Sequence, residues 1–536
     1  MIVPGRAPEW RVSSSAVKTR AVLLVCMLLS SLTAAAALAP KPVKSHPVES
    51  HPADVALGRT LSRLLRARRG DRGFWGIYVY SLSHHRVLYA HNGEHWFTPA
   101  SNAKLFTLAA ALHLLGAGYR FHTHIDATAG PDPAGVIHGD VVLVGSGDPS
   151  LSGRSYPYRY VPTVPGAPPA LPYDPEAAAT GLARQLAARG ITRITGNVIG
   201  DDTYYAYDPY PPGWADDDLV QGYGAPVSAL TMNDNERFLQ VQPAAAVGAP
   251  AQLRFDPAVG APPVENRVLT SAAGTYADIR LANDPLTGGV RVSGSVPLGG
   301  GDIEEVAVRD PALYAAQLLR RALLAQGIAV AGQARARHRP PGAVVAALPA
   351  YRLAEWVSPP LSQILQTTAK LSQNLEAELM LRLLGKLRGP DEGANLELDG
   401  PRRSGELVVK SFLHHAGLGE GDAELVDGSG LSRLDLVTPA GVVRLLRYMA
   451  AQPEAAIWED MMPVAAVDGT LARRFHGTTA AGRLRAKTGS LTHVSCLSGY
   501  VTTPGGDHRV FALMADNQGR SVLSWIDLMA EAIARR

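Results

Sequence analysis

The sequence predicts an α+β fold: an antiparallel sheet with a helical layer, built from both chain ends and interrupted by a large inserted region. Three observations lead there. Near the start, Gly76-Ile77-Tyr78-Val79-Tyr80-Ser81 and Arg86-Val87-Leu88-Tyr89-Ala90 flank the turn Ser83-His84-His85, a hairpin pattern. Near the end, His493–Thr503 and Arg509–Asp516 flank Pro504-Gly505-Gly506-Asp507, a second hairpin. Between them, residues 124–344 change texture, with Pro-rich loops such as Val164-Pro165-Gly166-Ala167-Pro168-Pro169. That stretch reads as one or two smaller domains inserted between 40–123 and 345–536, the two parts of the domain it interrupts.

The chain has 536 residues, 46% hydrophobic and 18% charged, which excludes a disordered chain and a polytopic membrane protein. Residues 1–39 read as a secretory signal peptide. Lys18 and Arg20 precede the apolar run Ala21–Leu29, and a small-residue tail places cleavage near Ala37 or Ala39. Arg6, Arg11, Lys18 and Arg20 against Glu9 account for the whole net charge of +3. The charge-balanced remainder argues against a nucleic-acid partner. After cleavage no stable membrane insertion is expected, and the protein would be exported, periplasmic or extracellular, at the cell envelope. Cys26 falls inside the leader, so Cys496 stays alone and no intramolecular disulfide forms. Its apolar, strand-like surroundings mark it as buried filler.

The elements follow in order. Residues 40–53, rich in Pro, His and Ser, form a tether. Leu61, Leu64 and Leu65 fit a helix ahead of the first hairpin. Thr98-Pro99-Ala100 opens a strong helix from Ser101 to Leu115, closed by Gly116. In the insertion, Leu182–Ala188 runs into Gly190-Ile191 and Leu319–Ala325 runs into Gly327-Ile328. The likeness is either a weak internal repeat or the common Gly cap. A strand is expected over Ile194–Gly200. Long helices return at Leu361–Leu384, Gly405–Ala416 and Pro439–Ala450, and a last one at Ser521–Ala534.

Three short motifs carry chemistry. Ser101-Asn102-Ala103-Lys104 puts a hydroxyl and an ammonium one helical turn apart, so a desolvated lysine can take the serine proton. Ser372-Gln373-Asn374 offers a hydroxyl and an amide at a helix start. Lys487-Thr488-Gly489-Ser490, on an edge strand, can present a cation and a hydroxyl to a carboxylate, with Gly489 permitting close backbone approach. Gly-x-Ser-x-Gly, His-Glu-x-x-His and a Walker-type loop are missing, and the 16 His show no metal-ligand spacing, so neither metal nor cofactor is expected. His84-His85 and His414-His415 read as solvated turn or helix residues.

Alone each motif is weak; in this order they form the signature of serine penicillin-recognising enzymes. Ser101 to Ser372 spans 271 residues and Ser372 to Lys487 spans 115. With those gaps the sequence resembles the class C low-molecular-mass penicillin-binding proteins, the D-alanyl-D-alanine carboxypeptidase/endopeptidase family, over residues 57–534. Gly147-Asp148-Pro149, Gly196-Asn197-Val198, Pro212-Gly213-Trp214, Asp427–Arg433 and Asp468-Gly469-Thr470-Leu471 share in the likeness. The middle residue of Ser-x-Asn, usually Asp, is here Gln373, and Thr492 stands where Gln or Met is common.

The resemblance implies a penicillin-recognising transpeptidase-like domain and an acyl-enzyme on Ser101 formed with peptidoglycan stem peptides, with β-lactams as covalent inhibitors. Lys104 would be the base, Ser372 the proton carrier and Asn374 a positioning residue. Backbone N–H groups of Ser101 and Ser490 would make the oxyanion hole, with Lys487 and Thr488 binding the terminal carboxylate. Arg433 and Asp201 would face one groove and grip a zwitterionic stem-peptide side chain. Removing the insertion is expected to leave some acylation. A β-lactamase or esterase of the same superfamily, or a non-catalytic wall-binding protein, are the alternatives; oligomeric state is not legible.

Overall fold

Residues 52–67, 72–162, 169–284, 286–346, 348, 351–389 and 394–535 are described by the computed structural model. The leader, Cys26 and most of the tether lie outside the described residues. The chain opens with helix α1 (Pro52–Ala67), strands β1 (Phe74–Ser81) and β2 (Arg86–His91), and helix α2 (Lys104–Leu115). The insertion follows with β3 (His122–Ala127), β4 (Val141–Val144), α3 (Ala177–Ala188) and β5 (Val198–Asp201). Next come β6 (Glu236–Gln242), β7 (Gln252–Asp256), β8 (Val264–Ser271), β9 (Asp278–Asp284), β10 (Gly289–Pro297) and β11 (Asp302–Ala307). It closes with α4 (Pro311–Ala325), β12 (Ala334–Arg337) and β13 (Tyr351–Val357). The C-terminal part supplies α5 (Leu361–Leu371), α6 (Asn374–Arg388), α7 (Ala394–His415), α8 (Pro439–Ala450), β14 (Leu484–Leu491), β15 (Val494–Thr502), β16 (His508–Asp516) and α9 (Leu523–Ala534).

Both chain ends build one sheet, as expected, in the order β14-β15-β16-β1-β2. β1 pairs antiparallel with β16 from Phe74↔Asp516 to Ser81↔Arg509. Alternation along β16 explains its almost wholly apolar composition. Val510, Ala512 and Met514 join one core with α2, α5, α6 and α8, while Phe511, Leu513 and Ala515 join another with α1 and α9. Covered on both faces, the central strands have no polar side to show. β14 stays at the edge, where the Lys487 motif was expected.

The insertion returns to where it leaves. β3 and β13 pair antiparallel, and just outside them Ser358 N–H donates to the Phe121 carbonyl while Phe121 N–H donates to Ser358 Oγ. Its larger sheet runs β12-β5-β4-β3-β13; β11-β6-β7 and β8-β10-β9 form two small ones. The two helix–Gly–strand units prove to be a structural repeat. Gly190 and Gly327 both take positive φ after α3 and α4. The following strands then lie side by side in parallel, Arg193↔Ala329 and Val198↔Ala334, both offset by the same spacing.

Two expected elements are divided. The strand over Ile194–Gly200 is two short strands, Arg193–Ile194 and Val198–Asp201, in different sheets. The helix over Leu361–Leu384 breaks at Ser372, which takes φ 63° and ψ 34° as the cap of α5. The helix over Gly405–Ala416 is the second half of α7, which is kinked at Gly400-Pro401. Among the described residues no helix is long and apolar enough to cross a membrane.

Candidate active site

Ala100–Ala103 form a 3₁₀ turn that runs directly into α2, which places the half-buried Ser101 at the helix entrance. Ala100 is held at φ 46°, a backbone state non-glycine residues adopt at a cost. Lys104, fully buried, follows one turn on. Its Nζ lies 3.0 Å from Ser101 Oγ, 2.6 Å from Asn374 Oδ1 and 2.7 Å from the carbonyl of Ser429. Burial pulls the Lys104 ammonium down to about 7, although Asp427, Glu378 and Asp435 pull the other way.

The break at Ser372 serves this site. Leaving helical conformation for one residue turns the Ser372 hydroxyl toward β14, where Lys487 Nζ donates to it at 2.8 Å. α6 then starts at Asn374, whose Nδ2 donates to the Tyr223 carbonyl at 2.9 Å and thereby fixes Oδ1 toward Lys104. Lys487 is buried and also donates to the Thr488 carbonyl. Desolvation, reinforced by the charge of Lys104, holds its ammonium well below the usual lysine range. Gln373 faces away from the two lysines: its Nε2 donates to Asp234, which Arg154 also grips.

Asp427 organises the opposite wall. Its carboxylate accepts backbone N–H bonds from Ser429, Gly430 and Ser432 and the indole N–H of Trp214. That turn aims the Ser429 carbonyl at Lys104. A side chain at Gly430 would strike the Ala100 carbonyl at 1.8 Å, so the turn docks against the strained residue beside Ser101. Beneath it the Glu378 carboxylate accepts from Gly428 N and is paired with Arg382; burial raises it to about 7.

Ser101, Lys104, Ser372, Asn374 and Lys487 therefore converge. Thr488 bonds Thr470 at 2.8 Å, and Ser490 is exposed on β14. Gly489 permits a close approach, but of the chain's own backbone: a Cβ there would meet the Pro99 carbonyl at 2.7 Å. Arg433 and Asp201, expected to face one groove and grip the two ends of a zwitterionic side chain, each meet a different partner within the fold. Asp201 lies directly across from Arg337 in the β5–β12 ladder, is buried, and is bound by that guanidinium. Arg433, partly exposed, approaches Asp218 at 3.8 Å. Sequence reasoning missed Tyr223 and named Ser429 only as part of the Asp427–Arg433 motif; both act through backbone carbonyls, which leave no side-chain signal. Glu378 and Asp234 were also missed. Cys496 is buried, its thiol pushed up by desolvation.

Comparison with known proteins gives this geometry a family. The model described as the D-Ala-D-Ala carboxypeptidase 3 (S13) family matches residues 59–535. The D-alanyl-D-alanine carboxypeptidase of an Actinomadura species is 33% identical over 471 residues, 86% of this chain and 81% of that protein. D-alanyl-D-alanine carboxypeptidase DacB of Haemophilus influenzae is 25% identical over 449 residues, 81% of this chain and 84% of that one. Penicillin binding protein 4 from Haemophilus influenzae shares the fold, with a TM-score of 0.70 at 23% identity over 88% of this chain and 97% of that chain. A second structure of that protein, complexed with a β-lactam, gives 0.66 at 21% identity over 89% and 99%. With a family model spanning nearly all the described residues, and with Lys104 and Lys487 each bonded to the Ser372-Gln373-Asn374 motif, the chain belongs to the D-Ala-D-Ala carboxypeptidase 3 (S13) family.

Proposed function

We propose that the protein is a serine D-alanyl-D-alanine carboxypeptidase/endopeptidase that acts on peptidoglycan stem peptides and crosslinks through an acyl-enzyme on Ser101. One observation carries the reading: Lys104 Nζ sits among Ser101 Oγ, Asn374 Oδ1 and the Ser429 carbonyl. The last two oxygens are acceptors only, so in the neutral amine both N–H bonds point at them. The lone pair then faces Ser101 Oγ. A neutral Lys104 takes the hydroxyl proton as Oγ attacks the penultimate D-alanine carbonyl. Negative charge developing on that oxygen is met by the N–H groups of Ser101 and Ser490. Ser372, bonded to Lys487, relays the proton that Lys104 has taken to the departing amine, which returns Lys104 to its neutral form, and water then hydrolyses the ester.

Lys487 and Thr488 bind the terminal carboxylate of the substrate. Arg433, which has Asp218 as its acidic neighbour, grips the charged end of the stem-peptide side chain. β-Lactams present the same carboxylate and a reactive carbonyl, which makes them covalent inhibitors. Residues 1–39 export the protein to the cell envelope, and 124–344 form the inserted region, completed by β13. The test is mass spectrometry of the intact protein with and without benzylpenicillin, beside turnover of a D-alanyl-D-alanine peptide. An adduct on Ser101 with release of D-alanine is expected. An adduct that persists in Ser101→Ala, or a cephalosporin turned over faster than the peptide, would overturn the assignment in favour of other chemistry or of a β-lactamase.

A further inference from the structure

The insertion holds a cleft of about 430 Å³, lined in part by Tyr210, Arg237, Asn283, Arg309, Tyr314 and Gln317. That volume falls within the range of small-molecule sites. Arg237 is its unusual feature. The side chain is only 5% exposed, and its Nε is buried without a hydrogen-bond partner. Among the described residues no carboxylate pairs with Arg237; its charged end lies over the Tyr314 ring, 4.7 Å from the centroid. Arg309, exposed at the mouth, has no carboxylate partner among them either. Asp310, on the same wall, is engaged elsewhere: it accepts from Leu313 N to cap α4 and faces His338 at 3.4 Å.

A guanidinium stays charged inside a protein, and burying that charge without a counter-ion is unfavourable. Two arginines at one cleft, with amides from Asn283 and Gln317 and two phenol rings, suit a planar anion on a small organic body. We infer that this cleft is a second, non-catalytic site that binds a small carboxylate ligand of sugar-acid or short-peptide size. One wall leads back to the reacting centre. Tyr210 and Val220 line the cleft, while Pro212, Gly213 and Trp214 between them bond Ser432, Arg433 and Asp427. A ligand there therefore sits against the segment that supports the Ser429 turn.

The proposal rests on the peptidoglycan reading only for the choice of probes. N-Acetylmuramic acid and N-acetyl-L-alanyl-D-glutamate carry the carboxylate on a sugar and on a peptide; N-acetylglucosamine is the neutral control. Binding is measured by calorimetry and thermal shift on the full chain after benzylpenicillin treatment, with Ser101 occupancy read separately by mass. Failure to acylate would count against the catalytic reading and leave this measurement intact. At least one acid is expected to bind at millimolar concentration, the stronger of the two naming its source. Arg309→Ala should weaken it several-fold and Arg237→Met about tenfold or more. Without ligand, Arg237→Met should melt at or above the unmodified protein, because an uncompensated buried charge has gone. Binding of neither acid, equal binding of N-acetylglucosamine, or unchanged binding in Arg309→Ala would each overturn the site. Arg309 is exposed, so that variant remains informative if Arg237→Met fails to fold.

Discussion

Lys104 and Lys487 are two buried amines placed to need opposite protonation states. Lys104 must be neutral to take the Ser101 proton, and burial has already brought it to about 7. Acylation by benzylpenicillin should then rise about tenfold per pH unit below 7 and level off above it. Stopped-flow or quench measurements from acid to neutral pH will check the slope; a rate independent of pH across that range would remove Lys104 as the base. Lys104→Arg, always charged, should lose acylation by more than about 10²-fold. Lys487 must carry charge to hold a carboxylate, yet desolvation and Lys104 keep its ammonium depressed in the free protein. An arriving carboxylate favours the charged form, so ligand binding should be accompanied by proton uptake at pH values between the depressed free range and the bound one. Calorimetry in buffers of different ionisation enthalpy reads this directly. Zero uptake, or uptake unchanged in Lys487→Met, would assign the carboxylate to another group.

At the scale of elements, the Ser372 break shows how function overrides local propensity. The apolar spacing of Leu361–Leu384 is continuous, so pattern alone reads one helix. What divides it is a left-handed serine held by Lys487 from a strand 115 residues away, a contact no local window contains. The same limit explains the rest of the comparison. The hairpins, the edge position of Lys487 and the five converging residues were legible because each rests on a side-chain type at a fixed spacing. The Asp201–Arg337 pairing depended on strand register between distant segments, and Tyr223 contributes only a carbonyl. Ser372→Ala and Ser372→Gly separate geometry from chemistry. Both should cut turnover by about 10²-fold or more, since both lose the hydroxyl. Glycine should nevertheless leave the protein about 1 kcal/mol more stable than alanine, because it relaxes the positive φ. Equal stability in denaturant titrations would mean that the break carries no strain. Glu376, in the first turn of α6, makes a second case. It is fully buried, accepts from Thr368, and is raised to about 8 by desolvation and by Asp234. Its proton is held in the fold and lost on unfolding, so this stability is complete below pH ~4.3 and declines as pH rises toward 8. Thermal melts should show Glu376→Gln losing much of that decline; an identical pH dependence in both proteins would assign it to other groups.

Over the whole molecule, the insertion is both separable and engaged. Its ends meet at Phe121 and Ser358, so a short linker can close the gap without stretching either sheet. On that ground alone an excised protein would keep its five-stranded sheet and its nucleophile, as the sequence suggests. Its contacts argue otherwise. Tyr205, Val227 and Ala229 belong to the same apolar core as α2, α5 and α6, and removing them opens that core to water. The Tyr223 carbonyl orients Asn374, Asp234 anchors Gln373 beside Ser372, and the Trp214 indole holds Asp427. Three of the groups around the two lysines are thus braced by the insertion, although none of the proposed reacting atoms comes from it. Positioning errors of this kind cost rate rather than specificity. Replacing 124–357 by a short linker should therefore reduce benzylpenicillin acylation by about 10²-fold or more even where circular dichroism reports a folded remainder. A milder variant isolates one brace without opening the core. Trp214→Phe keeps one aromatic ring but loses the five-membered ring and its N–H to a carboxylate, which should cost about 1.5–3 kcal/mol of stability and slow acylation several-fold. The two variants are compared by acylation rate against time-resolved mass. A folded deletion that acylates at the parent rate would show that the braces are dispensable, and unchanged kinetics in Trp214→Phe would remove Asp427 from the chain of support.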